Sequence, residues 1–275
     1  MKKERIDVLL TQLGYFNSRE NAKRAIMAGL VLVDQERVDK PQERVDKPGE
    51  KVPVEAKITV KGNVCPYVSR GGFKLEKAIK TFNIDLTDKT IIDIGASTGG
   101  FTDCALQNGA KLSYAVDVGY NQLDWKMRQD ERVICMERTN FRYMTPEDLK
   151  FGAPQFACID VSFISLKIIF PVLKQLLAKE GEIVALIKPQ FEAGKDQVGK
   201  KGIVRDAKVH IKVIQDILEF ITALDLSVLG LTYSPIKGGE GNIEFLVHIG
   251  YNENMRTNVY EKDIIQIVSD AHSQL

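Results

Sequence analysis

Asp93 opens the stretch of this chain whose residue types and spacing point most directly to chemistry, Asp93-Ile-Gly95-Ala-Ser97-Thr-Gly99-Gly100-Phe101. The apolar run Ile91, Ile92 and Ile94 reads as a buried strand ending in this glycine turn, and Phe101 to Asn108 reads as a helix. A strand–turn–helix of this kind brings backbone N–H groups and the positive end of a helix dipole to a ligand. Several chemistries compete for the turn. A dinucleotide site needs G-x-G-x-x-G, but the spacing here is Gly95-x-Ser97-x-Gly99-Gly100, and Asp93 would repel the phosphates. Gly95-Ala-Ser97-Thr-Gly99 also spells the G-x-S-x-G of a nucleophile elbow. A hydrolase built on Ser97 would need a base, for which His210 and His248 are available later in the chain. An acid at the strand end suits a cationic ligand, and Asp117 lies about twenty residues beyond the turn, where a carboxylate can bind ribose hydroxyls. The plain alternative is a glycine turn that holds nothing.

These residues need a scaffold, and the apolar pattern supplies one. Ser113 to Asp117, Val133 to Met136, Phe156 to Asp160 and Glu182 to Lys188 read as further buried strands, with Thr139 and Asn140 just past the third strand counted from Ile91. Between them, helices are expected over 121–128, over 165–179 with Pro171 kinking or restarting it, and over 206–224. Leu226 to Tyr233 and Ile243 to Ile249 form a last strand pair, and residues 259–273 a terminal helix. The alternation predicts an α/β fold with a mostly parallel, doubly wound sheet, made antiparallel at one edge by the final hairpin. The ligand crevice of such a sheet lies at the carboxyl ends of its strands, where Asp93, Asp117, Asp160 and Lys188 would gather. A further helix follows the Ser69-Arg70 turn and faces Leu75, Ala78 and Ile79 to a core. Lys74 lies in its first turn, where the dipole disfavours a cation; a residue that breaks a local rule is a candidate for function.

The first sixty residues have a different character. Ile6, Leu9, Leu10 and Leu13 share one helical face over residues 4–13, which Gly14 ends. Ser18 caps a second helix with Ala22, Ala25 and Ile26 inward and Arg19, Lys23 and Arg24 outward. Gly29 stops it before a short strand, Val31 to Val33, and Pro53 to Val60 completes a small sheet. Gln35 to Pro41 is repeated at once as Gln42 to Pro48, a tandem copy too short for a solenoid and best read as a lengthened surface loop. Residues 61–66, flanked by Gly62 and Pro66, form a linker.

Composition removes several classes. At 275 residues and 44% hydrophobic content the chain can bury one large core or two. A net charge of +1 gives no global attraction to nucleic acid, so a basic surface must be local. Lys195, Lys200, Lys201 and Arg205 supply one in the polar stretch 190–205. Four scattered cysteines and three isolated histidines offer neither a disulfide framework nor metal-ligand spacing, which suits thiols in a reducing cytoplasm and no metal. The absence of a signal peptide and of any apolar run of transmembrane length argues against a membrane-active protein.

The glycine turn resembles the S-adenosylmethionine (SAM) loop of class I methyltransferases, an acid followed by Gly-x-Gly/Ser-x-Gly, here Asp93, Gly95, Ser97 and Gly99. SAM carries an ammonium and a sulfonium, which suits the acid. The resemblance implies a cofactor site that also includes Gly100, Phe101, Asp117, Asn140 and Asp160. Arg5-x-Asp7-x-x-Leu10, Ser18-Arg19-x-x-Ala22 and Ile26-x-x-Gly29-x-Val31-x-Val33 resemble the alpha-L RNA-binding module of ribosomal protein S-four, with Arg5, Arg19, Lys23 and Arg24 as RNA contacts. Lys74 in Ser-Arg-Gly-Gly-Phe-Lys, Asp160, Lys188 in Leu-Ile-Lys-Pro-Gln-Phe and Glu244 in Gly-Asn-Ile-Glu-Phe resemble the Lys-Asp-Lys-Glu tetrad of FtsJ-like RNA 2′-O-methyltransferases. Taken together, nearly the whole chain resembles the TlyA (haemolysin A) family; the tandem repeat is the clear departure. The resemblance implies an RNA-binding domain over 1–60, a methyltransferase domain over 67–275, ribosomal RNA or ribosomal subunits as partner, and methylation of cytidine 2′-oxygens. A lytic protein, as the haemolysin label would have it, and an RNA-binding assembly factor without catalysis are the competing readings.

Overall fold

The computed structural model describes residues 3–16, 19–27, 30–34, 43–44, 47–60, 65–238, 241–252 and 258–275. Ser18, Gly29, residues 35–42 of the tandem repeat, linker residues 61–64 and the side chain of Arg24 lie outside the described residues. The chain forms two compact units, Met1–Pro66 and Tyr67–Leu275.

In the first unit, strand β1 (Lys3–Arg5) leads into helices α1 (Ile6–Gln12) and α2 (Arg19–Met27), followed by β2 (Val31–Asp34), β3 (Glu43–Arg44), β4 (Lys51–Pro53) and β5 (Lys57–Val60). The helix expected from residue 4 starts later because Lys3–Arg5 pairs antiparallel with β4, which keeps Arg5 extended. Strands β3, β2 and β5 make a three-stranded antiparallel sheet. Ile6, Leu9, Leu10, Ala22, Ala25 and Ile26 pack with Val31 and Val33 into one core. Beside that core lies a fully buried carboxylate, Asp7. Arg5 Nε and Nη2 donate to its two oxygens at 3.0 Å each, and Arg19 Nη2 donates at 2.9 Å. The Arg5 hydrogen bonds, with Arg19 behind them, hold the Asp7 carboxyl down at about 2 against the opposing pull of burial.

The second unit is built on a seven-stranded sheet. Its strands are β6 (Thr90–Ile94), β7 (Leu112–Val116), β8 (Val133–Met136), β9 (Phe156–Ile159), β10 (Glu182–Ile187), β11 (Ser227–Tyr233) and β12 (Phe245–Gly250). The order across the sheet is β11-β12-β10-β9-β6-β7-β8. Strands β6 to β10 pair in parallel, whereas β12 runs antiparallel to both β10 and β11, giving the antiparallel edge that the final strand pair predicts. Residues such as Ile92, Tyr114, Ala157 and Ala185 are buried inside helices packed on the sheet, which explains the near-continuous apolar runs. The helices are α3 (Gly72–Phe82), α4 (Gly100–Gln107), α5 (Trp125–Gln129), α6 (Leu166–Leu176), the single turn α7 (Pro189–Glu192), α8 (Ala207–Ala223) and α9 (Glu261–Gln274). Helix α6 continues through Pro171. Helix α5 begins four residues later than its apolar spacing suggests. Asn121 is left-handed, and the N–H groups of Asn121, Gln122 and Leu123 donate to the Glu137 carboxylate at 2.9, 2.8 and 3.0 Å. Residues 121–123 thus form a loop cradling an anion, and Asp124 caps the helix.

Candidate active site

The chain runs out along the sheet in one direction from β6 through β7 and β8, then returns to β9 on the other side of β6. That reversal opens a crevice at the carboxyl ends of the strands. Asp160 follows β9 and Lys188 follows β10. Glu244 precedes β12, but because β12 is reversed, with Phe245 opposite Ile187, it lies at the same end of the sheet. Lys74 reaches the crevice from the first turn of α3. The four form one chain of ion pairs. Lys188 Nζ is 2.5 Å from Asp160 Oδ1, Lys74 Nζ is 3.2 Å from Asp160 Oδ2, and Lys74 Nζ is 2.7 Å from Glu244 Oε2. Lys74 and Lys188 are each 7% exposed and Glu244 is 2% exposed, so these charges have little water to screen them. Burial pulls the Lys74 ammonium down, but the charges of Asp160 and Glu244 and their hydrogen bonds outweigh it, and the group stays above its ordinary value. Burial likewise pushes the Asp160 carboxyl up, and the two ammonium groups more than reverse it. Lys74 is therefore a fixed cation held by two carboxylates, while Lys188 shares one carboxylate and donates to Ser162 Oγ at 3.1 Å.

Two cavities flank this cluster. One of about 570 Å³ is lined by Lys74, Asp160, Lys188 and Glu244 and by Asp93, Gly95, Ser97, Gly100 and Phe101. The other, about 830 Å³, is lined by Gly95, Ser97, Asp117, Asn140, Asp160 and several apolar side chains, a size and character suited to a nucleoside-sized ligand. At its edge the Asp117 carboxylate accepts Ser97 N–H at 2.8 Å and Gly119 N–H at 2.7 Å, one per oxygen, which leaves acceptor capacity on both. Asp93 is fully buried. Thr102 donates to its Oδ2 through N (3.0 Å) and Oγ1 (2.7 Å), while Oδ1 has no hydrogen-bond partner. The Cys158 thiol, opposite Asp93 in the β6–β9 register, lies 3.7 Å from Ile92 O. Burial raises the Asp93 carboxyl to about 7 despite the Thr102 bonds. An orphaned buried carboxylate oxygen beside an open cavity is the chemistry a cationic ligand group would complete. The glycines of the turn make room for protein as well as ligand: a Cβ on Gly95 (φ +84°) would meet Asp160 O at 2.6 Å, and one on Gly100 would meet Ser69 Oγ at 2.2 Å.

Ser97 has the left-handed backbone (φ +47°) of an elbow residue, but no described histidine lines either cavity. His210 bonds to His272 and Val204 O, and His248 bonds to Glu182 at the opposite end of β10. The hydrolase reading therefore has no base. Arg5 and Arg19 are engaged by Asp7 yet remain about half exposed, and Lys23 pairs with exposed Glu20 at 3.3 Å. Lys200, Lys201 and Arg205 line a separate cleft of about 510 Å³, and Lys195 lies in the same exposed loop. Sequence reasoning missed Ser162, Gln190 and Glu137. Gln190 Nε2 donates to Glu244 Oε1 at 3.4 Å, and the Glu137 carboxylate shapes the loop carrying Gln122, which lines the larger cavity. Ser162 and Gln190 each stand two residues beyond a charged strand end, which was the available signal. Nothing local marked Glu137, whose partners are the Arg128 guanidinium nine residues away and backbone N–H groups 14 to 16 residues away. No described helix is long and apolar enough to cross a membrane.

Comparison with known proteins matches a different family in each unit of the chain. The FtsJ-like methyltransferase profile matches residues 67–251 and the S4 domain profile matches residues 4–52. YqxC of Bacillus subtilis, described as a candidate rRNA methyltransferase, is 57% identical over 276 residues, covering 100% of this chain and 96% of that protein. The 16S/23S rRNA (cytidine-2′-O)-methyltransferase TlyA of Mycobacterium tuberculosis is 37% identical over 246 residues, covering 90% and 89%. Among solved structures, a candidate hemolysin of Streptococcus thermophilus superposes with a TM-score of 0.77 at 52% identity, covering 100% of this chain and 97% of that one. The chain belongs to the TlyA, or hemolysin A, family of rRNA methyltransferases, in which an S4 RNA-binding domain precedes an FtsJ-like methyltransferase domain.

Proposed function

We propose that this protein uses SAM to methylate a cytidine ribose 2′-oxygen in ribosomal RNA. The observation that carries the reading is the buried Lys74–Asp160–Lys188 chain, closed by Glu244, beside a nucleoside-sized cavity. SAM supplies an electrophilic methyl group on a sulfonium centre. Asp117 would bind its ribose hydroxyls, Asn140 would line the adenosine side, and the backbone from Gly95 to Phe101 would wrap its amino-acid end, with Asp93 meeting the ammonium. Asp160 lines both cavities, which supports a part for it in the cofactor wall as well as in the charged cluster.

A ribose hydroxyl is a weak nucleophile at neutral pH and must lose its proton as the new bond forms. Lys188, acting as the neutral amine, is assigned that proton and becomes the ammonium paired with Asp160, because it shares a single carboxylate while Lys74 is committed as a cation to two. Lys74 raises the local positive potential and steadies oxygen charge as it develops. Asp160 and Glu244 hold the lysines in place, and much of the rate comes from alignment of the reacting atoms. Arg5, Arg19, Lys23 and Arg24 in the domain over 1–60, and Lys195, Lys200, Lys201 and Arg205 in the domain over 67–275, would contact RNA phosphates, with residues 61–66 as linker. Buried thiols at Cys104 and Cys158 suit a reducing cytoplasm.

The test is nucleoside mass spectrometry of ribosomal RNA and ribosomal subunits incubated with the pure protein and SAM. Appearance of 2′-O-methylcytidine is expected. Methylation confined to a base, or none on any RNA, would overturn the reading, and leakage of liposomes by the pure protein would favour the lytic alternative.

A further inference from the structure

We propose that Asn242 and His210 are positioning residues that lock the basic loop 195–205 to Glu244, so that RNA phosphate gripped by the loop is held in register with the Lys74–Glu244 pair. This rests on the reading above for its substrate. The clamp itself rests only on geometry.

Asn242 is 3% exposed and lies two residues before Glu244. Its Oδ1 accepts Val204 N–H at 3.0 Å, and its Nδ2 donates to Gly202 O at 2.9 Å. The side chain thus pairs with the loop backbone as a neighbouring strand would. The main chain of Asn242 completes the link, because its carbonyl accepts Gly238 N–H at 2.9 Å. Gly238 in turn lies against the Glu244 carboxylate so closely that a Cβ there would fall 2.0 Å from Oε1. A shift of the loop is therefore passed through Asn242 to the turn on which Glu244 rests.

His210 holds the other side of the same residue. Its Nε2 lies 3.2 Å from Val204 O. A carbonyl can only accept, so Nε2 carries the proton and Nδ1 accepts from His272 Nε2 at 3.0 Å. His210 is fully buried, and burial together with His272 lowers it to about 4, which keeps it neutral and in this tautomer. Its ring packs edge-on against Phe245, the residue after Glu244, at 5.5 Å. Both polar groups of the Val204 backbone are thus satisfied by buried side chains, one two residues before Glu244 in the chain and the other packed on Phe245. Val204 is itself buried at 2% exposure, so the polar groups of this loop residue depend on these two side chains.

What the clamp positions is a set of cations. Lys195, Lys200, Lys201 and Arg205 are exposed, and none of them forms an ion pair with a described residue. Three of them line the cleft beside Val204. Strand phosphates are the ligand that such a cleft fits in a protein acting on RNA.

The test compares Asn242→Ala, His210→Phe, which keeps the ring contact but loses the donor, and His210→Gln, which can restore it. Single-turnover methyl transfer is measured against RNA concentration, alongside SAM affinity. Asn242→Ala and His210→Phe should each lower the rate at saturating RNA about tenfold with SAM affinity unchanged, and His210→Gln should recover most of it. Alanine at Lys200, Lys201 and Arg205 together should instead raise the RNA concentration required and lessen the salt slope by about three. Wild-type saturating rates in both Asn242→Ala and His210→Phe would overturn the proposal. Hydrogen exchange on the unliganded variants reads the clamp without substrate. The amides of Val204 and Gly238 should lose protection together in His210→Phe, and loss at Val204 alone would refute the coupling. If the wild-type protein methylates no RNA, the proposed function fails while the exchange result still decides whether the clamp exists.

Discussion

Replacing Lys188 separates two jobs that one amino group could do, charge as the ammonium and proton acceptance as the amine. Its Nζ makes a 2.5 Å ion pair with Asp160 and a hydrogen bond to Ser162, in a site where it is 7% exposed. Lys188→Ala removes both, but Asp160 keeps Lys74 at 3.2 Å, so the carboxylate is not stranded. The stability cost should then fall below the ~3–5 kcal/mol typical of a buried charge left without its partner. Removal of a positioned acid–base group costs about 10²–10⁴-fold in rate, equivalent to roughly 3–5 kcal/mol in the barrier. Lys188 does not line the larger cavity, and the one residue of that cavity it pairs with, Asp160, keeps Lys74, so SAM affinity by calorimetry should stay within about threefold. Lys188→Arg is the decisive companion. Guanidinium can keep the ion pair with Asp160 and hence the fold, but it cannot give up its proton in a protein. Single-turnover transfer of labelled methyl to ribosomal RNA should therefore be lost in both variants. An arginine variant working near the wild-type rate would show that position 188 supplies charge and not a base. A fully active alanine variant would remove the residue from the mechanism.

Three further outcomes follow from individual carboxylates. Asp117→Ala should weaken SAM binding by about 1.5–3 kcal/mol, the usual loss for hydrogen bonds to a charged group, and calorimetry showing no change would exclude it from the ribose site. Asp93 is held near 7 by burial, above the unfolded value, so the fold favours its protonated form. Its contribution is present at acid pH and lost as pH rises from about 4 through about 7, a few kcal/mol at most. The melting temperature of the unliganded protein should accordingly fall across that window, and Asp93→Asn should flatten the fall; identical slopes would refute the assignment. Asp7 is held down at about 2 by Arg5 and Arg19, so its stabilisation is complete above the unfolded value near 4 and lost as pH drops through about 2. Because both arginines are about half exposed, Asp7→Asn should cost only about 1–2 kcal/mol at neutral pH, measured by urea unfolding of the full chain followed within its first unit.

Much of this arrangement is legible in the chain because a parallel sheet buried on both faces writes its strands as unbroken apolar runs. The runs ending at Ile94, Val116, Ile159 and Ile187 therefore also mark the carboxyl ends, and the glycine turn after the first and the charged residue after each of the other three are candidates for the crevice. Contacts that depend on distant partners leave no such trace. The apolar spacing of Leu123 and Met127 suits a helix turn, and only the Glu137 carboxylate draws residues 121–123 into a loop. The turn glycines illustrate a second kind of illegibility. Their spacing points to a ligand, yet the atoms nearest the missing Cβ positions of Gly95 and Gly100 are Asp160 O and Ser69 Oγ, both brought there by tertiary packing. The start of α1 was hidden for the same reason, since only the pairing with β4 keeps Arg5 extended.

Glu244 shows why the reversed strand matters to the chemistry. It immediately precedes β12, and in a sheet with all strands parallel the residue before a strand lies at the amino end. β10 is six residues long, so a parallel β12 would carry this carboxylate about 20 Å from Lys188. The antiparallel register, with Ile187 opposite Phe245, turns the same position toward the crevice and lets Glu244 close on Lys74 at 2.7 Å. Insertion between β10 and β11 also fixes it from both sides, because Phe245 faces Tyr233 as well. A slip of one residue would turn the side chains of β12 to the opposite faces of the sheet, placing His248 and Leu246 where Val247 and Phe245 now meet the core. The packing of Phe245, Val247 and Ile249 into the core therefore specifies the register that brings Glu244 to Lys74, so that packing on one face of the sheet and charge in the crevice are set by one strand.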